Sequence, residues 1–222
     1  MCGRFALVAT GEEVAEHYQL SEVPFVVPRY NVAPTQPVAA VRLGRDGARE
    51  FTFFQWGLIP SWAKDPSIGS RMINARAETA AEKPAFRAAF KRRRCLLPAT
   101  GFYEWRKTGS HKQPMYIREA DSGLVSLAGL WEIWPSADGG ELETCTILTT
   151  TPNSLMEPIH DRMPVILDPL DYETWLSPET PANQLNHLLR PFDARRLFAY
   201  AVSTAVNKPQ NDTPDLIVPV EE

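Results

Sequence analysis

Cysteine stands at the second position of this chain, in Met1-Cys2-Gly3-Arg4-Phe5. A small side chain there is the kind after which an initiator methionine is trimmed, so Cys2 is expected as the true N-terminus. It would then carry two nucleophiles, an α-amine with a pKa of about 7.7–8.0 and a thiol near about 8.5. The amine can condense with an aldehyde to a Schiff base, and the thiol can close on the imine carbon to give a thiazolidine ring. On position alone, an incidental small residue at a frayed end is the competing explanation. Glu104 lies inside an aromatic run, Phe102-Tyr103-Glu104-Trp105, where loss of water raises a carboxyl pKa towards the range of a general acid or base. A strand with Glu104 facing water is the alternative. His160, in Pro158-Ile159-His160-Asp161-Arg162-Met163-Pro164, is the proton carrier whose ordinary pKa lies nearest neutrality, although a histidine in a turn is usually just solvated.

The elements that must position these groups are mostly strands. Val38 to Leu43 and Phe51 to Ile59 flank a turn at Gly44-Arg45-Asp46-Gly47 and predict a hairpin. Cys95 to Leu97, Phe102 to Arg106, Met115 to Arg118, Val125 to Trp134, Thr144 to Thr150 and Ala199 to Ser203 are further strand candidates. Thr10-Gly11-Glu12-Glu13 has capping-box spacing, so a helix is expected from there to before Pro24. Thr79-Ala80-Ala81-Glu82 repeats the pattern ahead of Phe86 and Phe90, and Leu185, Leu188 and Leu189 predict a late helix. Residues 65–69 and 136–140 read as surface loops. The expected fold is α+β, a mainly antiparallel sheet or barrel-like β core with a few flanking helices, in a single domain over residues 1–222.

The chain has 222 residues, 44% of them hydrophobic, and 20 prolines against 12 glycines, enough for a sizeable core with many rigid turns. A net charge of −4 and a pI of about 5.7 mean that any nucleic-acid partner must meet a local basic groove rather than a basic whole. Cys2, Cys95 and Cys145 are far apart, against a disulfide framework and in keeping with a reducing compartment. The histidines have no metal-ligand spacing, so no metal and no cofactor is expected. No signal peptide and no membrane-length apolar run are evident, and a cytoplasmic protein is expected.

Five segments with polar residues at turns, taken together, resemble the SRAP family of SOS-response-associated peptidases or abasic-site-processing proteins. They are Met-Cys-Gly-Arg-Phe from Met1, Tyr-Asn-Val-Ala-Pro from Tyr30, Asn-Ala-Arg-Ala-Glu-Thr from Asn74, Gly-Phe-Tyr-Glu-Trp from Gly101 and Ile-His-Asp-Arg-Met-Pro from Ile159, in the family's order. Val202-Ser203, Val206-Asn207 and Asn211 also match, so the resemblance runs from Cys2 to about Pro219. Tyr103 stands where other members carry a different aromatic or apolar residue.

The resemblance implies a protein that forms a covalent thiazolidine between Cys2 and the C1′ aldehyde of an abasic site in single-stranded DNA. It implies that Glu104 and His160 transfer protons and that Asn74 hydrogen-bonds near the Cys2 terminus. It makes Arg4 and Arg76 candidates for phosphate contacts, with Arg162 behind them because it could instead pair with a carboxylate. Pro34 and Trp62 become candidate wedge or stacking residues, and Thr149 lines the site by position. Lys91-Arg92-Arg93-Arg94 resembles a DNA patch but closes a helix, where cations are favoured anyway. A thiol peptidase or autopeptidase using Cys2, Glu104 and His160 is the alternative activity. A noncovalent single-strand-binding module in which Cys2 is incidental is a third reading, and overall acidity weighs against it.

Overall fold

Alternating apolar and polar residues make strands the commonest regular element of this chain. The computed structural model describes residues 2–121, 123–136 and 138–221. Met1, whose removal is expected, lies outside them, as does Ala137 of the expected 136–140 loop. The strands are β1 (Phe5–Leu7), β2 (Arg29–Val32), β3 (Pro37–Leu43), β4 (Arg49–Trp56), β5 (Asn74–Arg76), β6 (Arg94–Ala99), β7 (Gly101–Thr108), β8 (His111–Glu119), β9 (Val125–Pro135), β10 (Glu141–Thr150), β11 (Met163–Pro164), β12 (Ile166–Leu167) and β13 (Leu197–Ala201). The helices are α1 (Gly11–Tyr18), α2 (Ala77–Ala80), α3 (Arg87–Arg92), α4 (Tyr172–Leu176) and α5 (Ala182–Leu188). The fold is α+β and mainly antiparallel.

Five strands close a ring. β3 pairs antiparallel with β4 and β6, β6 with β9 and β9 with β10, and β10 returns to β4 in parallel. Closure leaves the ring without open edges. β5 and β11 attach to β10, and β12 to β9. A second, antiparallel sheet runs in the order β13-β8-β7-β1-β2. Side chains alternate across the ring strands with period two. Val38, Ala40, Cys95, Leu97, Cys145 and Ile147 face a core shared with Phe5, Phe102 and Ile117 of the second sheet. Ala39, Val41, Leu96 and Leu148 face the helices through Tyr18, Phe90, Trp175 and Leu185. Phe5 meets Trp56 with ring centroids 5.3 Å apart, locking β1 against the ring.

The first capping box forms as expected: Thr10 accepts from the Glu13 N–H and Glu13 accepts from the Thr10 N–H. That helix ends at Tyr18, before Pro24 as expected, because Gln19 turns left-handed at φ 54°. The second capping box does not form. β5 runs straight into α2, so Thr79 already lies within the helical turn, its hydroxyl buried and without a partner. Glu82 and Lys83 donate instead to the Thr79 carbonyl. Residues 66–71, which overlap the surface loop expected at 65–69, make a 3-10 turn capped by the Asp65 carboxylate. The strand expected to reach Ile59 ends at Trp56 because Gly57 adopts φ 134°. No helix among the described residues is long and apolar enough to cross a membrane.

A buried side chain ties the C-terminal segment to the second sheet. Asn31 on β2 donates its amide to the carbonyls of Val206, Lys208 and Asn211 at 3.2, 3.1 and 2.8 Å, and accepts from Arg4 at 2.9 Å. Asp212 reaches back to accept from the backbone N–H groups of Tyr30 and Asn31 and pairs with Arg29. Asn31→Ala strands these partners in a buried setting, so a loss of about 2–3 kcal/mol is expected. It should appear in urea denaturation as a lower midpoint with an unchanged slope.

Candidate active site

β1 is paired on both sides, with β2 through Phe5 and Leu7 and with β7 through Phe5 and Ala6. This pairing carries Cys2 inside, where it is fully buried. Asn74 on β5 donates its amide to the Cys2 carbonyl at 2.9 Å. The register of β5 on β10, with Asn74 opposite Ile147 and Arg76 opposite Thr149, fixes that contact. The Asn74 carbonyl oxygen is buried and accepts from nothing among the described residues. It is an open acceptor beside Cys2.

Glu104 does not face water. On β7, Tyr103 turns to a core with Val202, Val206 and Leu216, while Phe102 turns to the core that holds Cys2. Glu104 shares the Phe102 face by alternation and is 2% exposed. Burial pushes its carboxyl above the usual carboxylate range, with the nearby His160 pulling the other way. His160 Nε2 lies 3.9 Å from the Glu104 carboxylate. Its Nδ1 accepts the Arg162 N–H at 3.0 Å, an arrangement that puts the proton of the neutral ring on Nε2, toward Glu104. The exposed Asp161 carboxylate, 2.9 Å from Nδ1, can receive Nδ1–H when the ring is charged. The ring therefore has a partner in either protonation state. Burial pushes the Cys2 thiol well above the ordinary cysteine value, and the Glu104 carboxylate adds to the effect.

The cationic candidates divide by how they are held. Arg162 makes a two-pronged pair with Glu78 at 2.7 and 2.8 Å and donates to the Thr149 carbonyl at 2.5 Å, which anchors the turn carrying His160. Arg4 is held by Asn31 and by the carbonyls of Val206 at 2.7 Å and Asn207 at 3.4 Å, above the Trp105 ring. Arg76 is exposed and makes no side-chain hydrogen bond or ion pair among the described residues. It projects on the Asn74 side of β5, since Ala75 between them is buried on the other. Thr149 is buried, its hydroxyl 3.5 Å from the Ala75 carbonyl.

Pro34 and Trp62 both sit where β4 ends. The Thr35 N–H donates to the Trp56 carbonyl at 2.8 Å, which seats the Pro34 turn. Thr35 holds φ 70°, a left-handed backbone that a β-branched residue adopts only under constraint. Trp62 is 61% exposed on the 57–72 loop. Two glycines close the base of that loop. A Cβ on Gly57 would come within 2.6 Å of the Gly69 carbonyl oxygen, and one on Gly69 within 2.7 Å of the Gly57 carbonyl oxygen.

The structure thus gathers Cys2, Asn74, Glu104 and His160, with Arg76, Thr149 and Arg162 along the neighbouring β5–β10 edge. Sequence reasoning missed the parts played by Glu78 and Asp161, although both lie inside quoted motifs. Among the described residues no cluster of three or more His, Cys, Asp or Glu could hold a metal ion.

The raised Glu104 carboxyl has a signed consequence for stability. A carboxyl whose folded pKa lies above its unfolded value stabilises the fold fully below the unfolded value and loses that contribution as pH rises through the folded one. Glu104→Gln removes the buried charge, so the variant should melt higher than the native chain at pH 8. The difference should close near pH 4, and thermal melts at the two pH values check it.

The profile of the SOS response associated peptidase (SRAP) family matches residues 1–209. Abasic site processing protein YoqW of Bacillus subtilis (strain 168) is 45% identical over 231 residues, covering 98% of this chain and 99% of its own. Abasic site processing protein YedK of Escherichia coli (strain K12) is 32% identical, covering 99% and 100%. A crystal structure of a protein from Bacteroides thetaiotaomicron matches with a TM-score of 0.90 at 31% identity, over 99% of this chain and 100% of its own. On its motifs, its fold and these matches, the chain belongs to the SRAP family.

Proposed function

We propose that this protein processes abasic sites in single-stranded DNA by linking Cys2 covalently to the C1′ aldehyde of the ring-opened sugar. The observation that carries the reading is the convergence of the buried Cys2 and Glu104 with the half-buried Asn74 and His160. The names of the relatives supply the substrate class.

The reaction needs Cys2 to be the first residue, because an amide nitrogen cannot form a Schiff base. Glu104, kept protonated further up the pH scale by burial, gives a proton to the sugar ring oxygen as the C1′ hydroxyl loses its own, which opens the ring. The Cys2 amine attacks C1′ and donates to the Asn74 carbonyl oxygen, which accepts from nothing among the described residues. The carbinolamine hydroxyl leaves as water, protonated by the Glu104–His160 pair. Sulfur then adds to the imine carbon, and its proton passes by way of the pair to the nitrogen. One water departs, and no oxidant, reductant or metal takes part. The adduct shields a strand that would otherwise break by β-elimination.

The competing thiol-peptidase reading is the weaker, because a peptidase cysteine works as a thiolate with a depressed pKa. Burial drives the Cys2 thiol the other way. An amine nucleophile does not depend on that thiolate.

The test is incubation of the purified protein with a single strand bearing one abasic site, followed by a denaturing gel and an intact-mass measurement. A heat-stable adduct is expected on molecules that begin at Cys2. Cys2→Ser keeps the amine and should give an adduct only when the imine is trapped with borohydride. Peptide cleavage without an adduct would instead favour the peptidase. For binding, the exposed Arg76 is the phosphate contact we assign first. Arg76→Ala should reduce the slope of log affinity against log salt by about 0.7, the share of one phosphate on a single strand. An unchanged slope removes Arg76 from the interface.

A further inference from the structure

A groove of about 800 Å³ lies between α3 and α5, away from Cys2. α3 leads into β6 at Arg94, and the far end of β6 adjoins β1 through the Thr100 N–H on the Ala6 carbonyl. The six residues of β6 separate the two places by roughly 20 Å. Phe90 and Leu185 lie buried at its base, and Ala81, Ala88, Pro178, Pro181 and Ala182 supply its exposed apolar surface. The rim carries Arg87, Lys91 and Arg92, with Glu179 as the acid among the lining residues.

The basic run at residues 91–94 divides cleanly. Arg94 is buried and donates to the carbonyls of Phe90, Lys91, Trp175 and Ser177, saturating the C-terminal ends of α3 and α4. Arg93 pairs with Glu132 at 2.6 Å. Lys91, Arg92 and Arg87 are exposed, and among the described residues none makes a side-chain hydrogen bond or ion pair. Arg87 works against its own helix. It sits in the first turn, which holds no acid, at the end where the dipole disfavours a cation, and one turn before another cation at Lys91. The stability of α3 does not account for it.

From this arrangement we infer that the groove docks a short acidic segment of a partner protein bearing apolar anchor side chains. Anchors would seat among Ala81, Ala88, Pro178, Pro181 and Ala182 while carboxylates meet Arg87, Lys91 and Arg92. A nucleic-acid strand fits less well. Phe90, the aromatic among the lining residues, is 3% exposed and offers no face on which a base could stack. Occupancy of this groove does not depend on the aldehyde chemistry at Cys2.

The probe is a fluorescein-labelled dodecapeptide alternating paired aspartates with leucine and phenylalanine, titrated into the full-length protein by fluorescence anisotropy. Saturable binding that weakens with salt is expected, and the asparagine counterpart should bind about tenfold less tightly or worse. The double variant Arg87→Glu with Lys91→Glu should lose a similar factor, about tenfold. Its first change places an acid where α3 favours one and its second removes a cation from the last turn, exposed effects of opposite sign, so its melting temperature should change little. Ala182→Trp, which fills the groove without altering charge, should weaken the same peptide. Adduct yield on an abasic strand should stay at the native level in both variants. The proposal is overturned if the acidic peptide does not bind, or if it binds both variants as it binds the native chain. It is equally overturned if the double variant loses affinity for an undamaged oligothymidine rather than for the peptide, which would make the rim a nucleic-acid surface.

Discussion

The burial of a strand that starts a few residues from the end of the chain is the constraint on which this structure depends. Termini ordinarily fray, because few contacts repay the entropy of ordering them. Here β1 is paired on both edges, Phe5 is locked against Trp56 across the two sheets, and Asn74 holds the Cys2 carbonyl. In the proposed reaction the nucleophile is a backbone nitrogen, which can be aimed only by aiming the backbone itself. The motif around Cys2 therefore combines a reactive residue with the anchors that fix its position.

Burial also sets the chemistry. The same exclusion of water that raises the Glu104 carboxyl raises the Cys2 thiol. The first effect favours a proton donor. The second disfavours a thiolate, which in the proposed reaction leaves the opening attack to the amine. A charged Glu104 in such a place destabilises the fold, and that cost is the expected counterpart of a carboxyl kept ready to donate. His160 needs no comparable burial, because its proton is directed by what Nδ1 meets, the Arg162 N–H or the Asp161 carboxylate.

Around this pocket, arginines that look alike in sequence do different work. Arg162 and Glu78 fasten the His160 turn to β10, while Arg4 and Asn31 fasten the C-terminal segment. Arg94 closes two helices, and Arg76, Arg87, Lys91 and Arg92 remain exposed. The acidic total therefore says little about where cations are available. What matters is which of them already have partners.

The α+β class, the hairpin from β3 to β4, the α1 capping box and most strand positions were legible in the sequence, because each depends on local alternation or on turn and cap chemistry within a few residues. The five motifs, read in order, pointed to the family and to Cys2, Asn74, Glu104 and His160. The failures have the same physical origin. Thr79 has a cap's spacing, yet the incoming strand β5 places it inside a turn. Glu104 was open between solvent and core until the pairing of β7 and the alternation of its side chains sent it inward. Closure of the ring through β4 and β10, the partners of Arg4 and Arg162 and the contact of Asn74 with Cys2 join residues tens of positions apart. The sequence alone determined which chemical groups are present and which local elements carry them. Only the tertiary structure decided which of those groups meet and which lose their water, because pairing and desolvation come from segments distant along the chain.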